Sequence, residues 1–278
     1  MVNKLKTGLF GIGLDTYWGQ FEGLLDHLTA YQQLISNKIT EFDVVVVDAG
    51  MVDNPEKAQH AVQLFREKNV DLVFLYISTY ALSSTVLPVA QGIKVPVIVL
   101  NLQPAAAIDY KSFNALGDRG LMTGIWLENC QACCVPEISS VFKRAGIDFH
   151  LISGYLGEEY VWKELSEWLS AMKVVKGMQG NRVGLLGHYY CGMLDVYSDL
   201  AQQSATFGNH FEIIEFGMLK KWRDEVLPGE IAGKIASFRK EFQVSGECDS
   251  EELERAARTS VALDKLTEQY RLGSLAYY

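Results

Sequence analysis

The chain has 278 residues, 49% of them hydrophobic and 21% charged, with a formal net charge of −9. That length accommodates roughly two domains, each with its own core. Its Lys and Arg are scattered and never form a block of five, which leaves no electrostatic footprint for nucleic acid or an anionic membrane face and points to a small neutral or cationic ligand.

The first apolar run, Lys6–Ile12, predicts a strand that breaks into a glycine-bounded loop, Gly13-Leu14-Asp15-Thr16-Tyr17-Trp18-Gly19, followed by a helix over residues 21–35. Further strands are predicted over residues 43–48, Leu72–Ile77, residues 95–100 and residues 148–152, separated by helices that include Pro55–Lys68 and residues 83–90. Alternation of buried strand runs with amphipathic helices is the pattern of βα units on a parallel sheet. A Trp-rich helix over residues 160–178 leads into Lys176-Gly177-Met178-Gln179-Gly180-Asn181, where a domain boundary is placed. It separates an N-terminal α/β substrate-recognition domain, 1–175, from a second α/β domain, 176–278.

The second series opens with a strand at Arg182–Leu186, then a helix over 192–206, a strand over 211–216, and helices over 230–241 and Ser250–Tyr270. Its last six residues, Gly273-Ser274-Leu275-Ala276-Tyr277-Tyr278, read as a strand without a following helix, so this domain is expected to be incomplete at its C-terminus. The expected fold class is α/β, with two doubly wound parallel-sheet domains.

In an open parallel sheet, ligands sit outside the carboxyl ends of the strands. At that end of the first strand stand Asp15, Tyr17 and Trp18, an acceptor beside flat apolar faces, which suits a polyhydroxylated neutral ligand better than a phosphate. Ser78-Thr79-Tyr80, after the strand Leu72–Ile77, adds hydroxyls and an aromatic ring at the same edge. In the second domain His188 follows the glycine that ends a strand, with Tyr189 and Tyr190 next to it. The two loops are expected to face each other across a crevice, since pockets favour domain interfaces.

The five histidines offer no pair at metal-ligand spacing on one helix. Cys130-Gln131-Ala132-Cys133-Cys134 contains a Cys-x-x-Cys pair, a spacing shared by redox and zinc half-sites, but no second pair matches it. The five cysteines read as free thiols in a reducing compartment. With no apolar run of the roughly 18 residues a bilayer span needs, and no signal-peptide order at the N-terminus, the expected location is cytoplasmic, without membrane contact. No Gly-x-Ser-x-Gly, phosphate-binding loop or complete Gly-x-Gly-x-x-Gly occurs; Thr16 stands where the third glycine would be.

Several blocks together resemble the L-fucose/L-arabinose isomerase family of metal-dependent aldose–ketose isomerases. They are Gly11 to Gly19, Leu72 to Tyr80, Val97-Ile98-Val99-Leu100-Asn101-Leu102-Gln103-Pro104, Leu127-Glu128-Asn129-Cys130-Gln131, and Gly187 to Asp199 with its Gly-Met-Leu-Asp core. The resemblance spans essentially the whole chain. It implies two flavodoxin-like domains belonging to a longer enzyme whose catalytic metal residues follow Tyr278. It also implies Mn2+ for the complete enzyme, none of it fully liganded by this chain, and a homo-oligomer, trimer or hexamer. The implied reaction moves a proton between the first two sugar carbons through an enediol. By motif, substrate contacts fall on Asp15, Tyr17, Tyr80, Cys133 and Tyr190. Arabinose isomerases carry glutamine where Asp15 stands and histidine near Cys133, so the resemblance leaves the aldose open. A non-catalytic carbohydrate-binding or sensory module of two α/β domains gives the same sequence pattern.

Overall fold

A computed structural model describes residues 4–277. The chain divides into two compact units, Met1–Lys176 and Gly177–Tyr278, and the division falls inside a helix rather than in a loop.

In the first unit the elements run β1 (Lys6–Ile12), α1 (Asp15–Trp18), α2 (Leu24–Thr40), β2 (Val45–Val52), α3 (Pro55–Lys68), β3 (Leu72–Ile77), α4 (Ser83–Ile93), β4 (Val97–Gln103), α5 (Tyr110–Ala115), α6 (Arg119–Glu128), α7 (Val135–Arg144), β5 (Phe149–Tyr155) and α8 (Glu159–Met178). The strands are all parallel, in the order β2-β1-β3-β4-β5, the flavodoxin-like doubly wound arrangement. Alternation along the strands decides which layer each side chain joins. Phe10, Ile12, Val73, Leu75, Ile77, Val97 and Val99 pack with Phe65, Val86, Val89, Ile138 and Phe142 from α3, α4 and α7. Leu9, Leu72, Phe74, Tyr76, Ile98 and Leu100 pack on the other face with Ile35, Ile39, Leu165 and Leu169 from α2 and α8. Continuous apolar runs in the sequence thus correspond to strands covered on both faces.

Local chemistry sets the helix ends. Asn54 accepts from the Lys57 N–H at 2.9 Å and Pro55 follows it, so α3 starts there; Asn69, at φ 52°, closes it in the left-handed conformation. Gly8 has no room for a side chain, since a Cβ would lie 2.8 Å from Val73 and 2.9 Å from Phe65. It lets α3 sit close to the sheet.

The second unit contains β6 (Arg182–Leu186), α9 (Leu200–Phe207), β7 (His210–Ile214), α10 (Phe216–Asp224), α11 (Pro228–Glu241), α12 (Ser250–Tyr270) and β8 (Ser274–Tyr277). Its three parallel strands lie in the order β7-β6-β8. Leu186 and Ile214 pack against Leu219, Ile231, Ala257, Val261 and Leu266 of the last three helices.

Several boundaries differ from the sequence reading. The helix expected over residues 192–206 is an irregular segment with a 3-10 turn at Leu194–Val196, and only then α9. Gly192 sits at φ 87°, which interrupts a helix, and Asp199 accepts from the Gln202 N–H at 3.0 Å and starts α9 afresh. The strand expected over 43–48 begins later and continues to Val52, because Asp43 turns at φ 55° and pairing with β1 resumes at Met51 and Val52 after a shift in register. The helix expected over 21–35 is α2, which starts at Leu24 after Gly23 at φ 79° and runs on to Thr40, and the loop before it holds the single turn α1. Phe216, read as the end of a strand, opens α10. Tyr278, the last residue of the expected terminal strand, lies outside the described residues.

Candidate functional site

The order β2-β1-β3-β4-β5 places the topological switch between β1 and β3. The connections leaving these two strands run in opposite directions, and beyond the carboxyl ends of strands at such a point is where open α/β sheets bind ligands. The loop after β1 carries α1, with Asp15, Tyr17 and Trp18. The loop after β3 carries Ser78, Thr79 and Tyr80. A third wall is the 3-10 turn Gln131–Cys133, which joins α6 to α7.

Ser78 and Thr79 hold these walls together and are fully buried. The Ser78 hydroxyl donates to the Ile12 carbonyl at 2.5 Å, and the Thr79 hydroxyl donates to the Leu127 carbonyl at 2.7 Å. Gln131, also fully buried, donates to the Ser78 carbonyl at 2.9 Å and to the Glu128 carbonyl at 2.6 Å. The hydroxyls expected to meet a ligand therefore cross-link the ends of β1, β3 and α6. Burial is the reason, because a hydroxyl away from water requires an internal partner.

The structure brings three of the expected contact residues to one place. Tyr17, Tyr80 and the cysteine turn are mutual neighbours: Tyr17 is held above its ordinary acidity constant by burial, with Cys130, Tyr80 and Cys134 close enough to add to the effect. The Glu137 carboxylate lies near the Tyr80 phenol and raises its value, chiefly through its negative charge. Glu137 in turn accepts from the Ser83 N–H at 3.0 Å and is held below the usual carboxylate range by its hydrogen bonds to Ser83. Cys133 is exposed, whereas Cys130 and Cys134 are buried, with their thiols pushed up to about 12 and about 11 mainly by burial. Asp15 is exposed in the first turn of α1.

Trp18 is tied into the scaffold. Its indole N–H donates to Asp53 at 2.8 Å, and its ring fills the space a Cβ on Gly13 would need, at 2.7 Å. The Asp53 side chain has no exposure and takes a second bond from Lys57 at 2.7 Å, while its Oδ1 has no protein partner. Lys57, the cation at this edge, is therefore already engaged. Behind Tyr17, Glu128 accepts from the Tyr31 hydroxyl and pairs with His27 at 3.2 Å.

His188 and Tyr190 belong to the second unit, beyond the carboxyl end of β6. His188 pairs with Glu215 at 3.5 Å, and the Tyr190 side chain is 71% exposed. A groove of about 740 Å3 opens at the amino end of β4 and β5, lined in part by Lys94, Phe149, His150 and Trp168. Its imidazole is already paired with Glu164 at 2.6 Å and packed on Trp168 at 4.8 Å, which directs attention back to the switch-point edge.

Glu137 and Asp53 are not among the candidate site residues of the sequence reading, and Asp53 lies beyond the expected end of its strand at residue 48. A carboxylate directly after Cys-Cys-Val-Pro was the available signal for the first; the continuing apolar pair Met51-Val52 was the signal for the second.

Among the described residues no group of three or more His, Cys, Asp or Glu side chains converges to hold a metal ion, and no helix is long and apolar enough to cross a membrane. In comparisons with known proteins, the chain matches no family model and no curated protein.

Proposed function

We propose that the first unit binds an aldose at the β1/β3 edge, as the substrate-recognition part of an aldose–ketose isomerase of the L-arabinose/L-fucose type. The observation that carries this reading is the gathering of Tyr17, Tyr80 and the Glu137 carboxylate beside the switch point, each close enough to act electrostatically on its neighbour. Carboxylates accept sugar hydroxyls, phenols both donate and accept, and an aromatic face covers the apolar side of a pyranose or ketose. Asp15 supplies a further acceptor at the rim. With Lys57 bonded to Asp53, this edge attracts a neutral polyol more readily than a phosphate.

The chemistry assigned to these side chains is binding and orientation: Tyr80, with the Glu137 carboxylate nearby, presents its phenol to the ligand, and Tyr17 forms a wall. Manganese belongs to the family resemblance. The described residues contain no group suited to it, so no step is routed through a metal on this chain. A homo-oligomer, trimer or hexamer, belongs to the same proposal and is read out by sedimentation.

Calorimetric titration of the chain with L-arabinose, L-fucose and other aldoses, with inorganic phosphate as a control, tests the reading. Binding that falls about 5- to 10-fold in Tyr80→Phe and Asp15→Asn is expected, as for one neutral hydrogen bond of roughly 1 kcal/mol. Sugar binding without turnover by this chain is expected both for the recognition part of an isomerase and for a non-catalytic carbohydrate module. Aldose turnover with manganese by a complete enzyme of which this chain is a part would favour the first. Turnover by this chain alone would overturn the assignment of the metal residues elsewhere, and tight phosphate binding with no sugar binding would overturn both readings.

A further inference from the structure

The thiols of the Cys-x-x-Cys segment have no part in the sugar-binding reading beyond the rim position of Cys133, yet their arrangement is specific. Cys130 and Cys133 bracket the 3-10 turn Gln131–Cys133, and the Cys133 N–H donates to the Cys130 carbonyl at 3.3 Å. Residues i and i+3 of such a tight turn have α-carbons below about 7 Å apart, within the range a disulfide spans. The two thiols are close enough for Cys133 to raise the Cys130 value. Cys134 points elsewhere: its thiol faces the Thr79 carbonyl at 3.6 Å and the Gln131 carbonyl at 3.9 Å in the core. Cys134 also adjoins Cys133 in sequence, where a bridge would close a strained vicinal ring.

Exposure divides the work between the pair. Cys133 is open to solvent and lies just before α7, where a soluble disulfide can reach it. Cys130 is buried behind it, within reach of Cys133 and of no solvent-borne reagent. We propose that Cys130 and Cys133 are a reversible dithiol–disulfide pair, a redox modification site beside the β1/β3 edge. The oxidant is a low-molecular-weight disulfide. The Cys133 thiolate attacks one of its sulfurs, forming a mixed disulfide and expelling a thiolate. The expelled thiolate takes a proton from water. Cys130 then loses its proton to hydroxide or water, and its sulfur attacks Cys133 Sγ, closing the intramolecular S–S bond and expelling the second thiolate, which is also protonated from water. Two protein thiols are oxidised and one disulfide is reduced to two thiols. Burial of Cys130 makes the closing step the slower one, so the mixed disulfide accumulates transiently and closure quickens as pH rises.

The test is equilibration of the intact chain in buffers of graded reduced to oxidised glutathione, followed by acid quench, alkylation and peptide mapping by mass. The expected product is a Cys130–Cys133 bridge, reversed by dithiothreitol, with Cys134 still a thiol. Cys130→Ser is expected to stop at the Cys133–glutathione mixed disulfide, and Cys133→Ser to form neither product. Wild-type mapping decides the matter even if a variant folds poorly. A bridge between Cys133 and Cys134, a mixed disulfide on Cys133 that never closes, or three unmodified thiols under oxidising conditions would each overturn the proposal. The outcome does not depend on the identity of the sugar.

Discussion

The indole N–H of Trp18 is one of two donors on a carboxylate that has no exposure at all, Asp53; the other is Lys57. Removing a partner from a buried charge costs more than the hydrogen bond itself contributes, because the charge is left without compensation. Trp18→Phe deletes the donor and, with it, the outer ring edge that lies over Gly13. It should lower stability by about 1.5 to 3 kcal/mol in urea unfolding, while changing sugar affinity less than Tyr80→Phe does. A larger loss of affinity than of stability would mean that Trp18 touches the ligand directly. Gly8→Ala tests the scaffold at the same scale: the new methyl would press on Val73 and Phe65 between sheet and α3. The expected cost is about 1 to 3 kcal/mol, read from the denaturation midpoint, since the methyl overpacks a filled core.

At the scale of elements, Glu137 of α7 reaches across to the first turn of α4 and accepts from Ser83. A carboxylate beside a helix N-terminus is favourable, and the Ser83 bonds hold Glu137 below its ordinary value of 4.5. The folded state then binds this proton less readily than the unfolded chain. The stabilisation is present in full above the ordinary value and disappears as pH falls through it to the folded value. Glu137→Gln should lower the melting temperature at neutral pH and flatten its decline at acid pH; an unchanged acid slope would assign that decline to other carboxylates. The same contact shows where sequence reading reaches its limit. β1 and β3 were legible because apolar runs buried on both faces leave little choice of strand. Tyr17 and Tyr80 were legible as aromatics following strands. The meeting of Tyr17, Tyr80, Cys130 and Glu137 was not, because it depends on which strands are neighbours, and no spacing along the chain encodes that. Gly192 and Asp199 have the residue types of a break and a new cap, but the surrounding apolar periodicity reads as one helix, and only the backbone turn at Gly192 separates the two segments.

The two units differ in how much core each has to resist unfolding. The first covers a five-stranded sheet on both faces, with separate clusters that include Phe10, Phe65 and Phe142 on one side and Phe74, Tyr76 and Leu165 on the other. The second has three strands and a single cluster around Leu186, Ile214 and Leu266, and it leaves Ile213 of β7 65% exposed. Stability grows with apolar area removed from water, at about 25 cal/mol per Å2, and the entropy of ordering opposes it in both units. The unit with the thinner core should therefore open first. Thermal unfolding is expected to show two transitions, with amide exchange in β6 and β7 faster than in β1 and β3 by the free-energy gap between them. A ligand bound at the β1/β3 edge should raise the upper transition and leave the lower one in place, because a ligand stabilises only the unit whose native state it binds. One shared transition, shifted as a whole by the ligand, would show instead that the units unfold as one cooperative body.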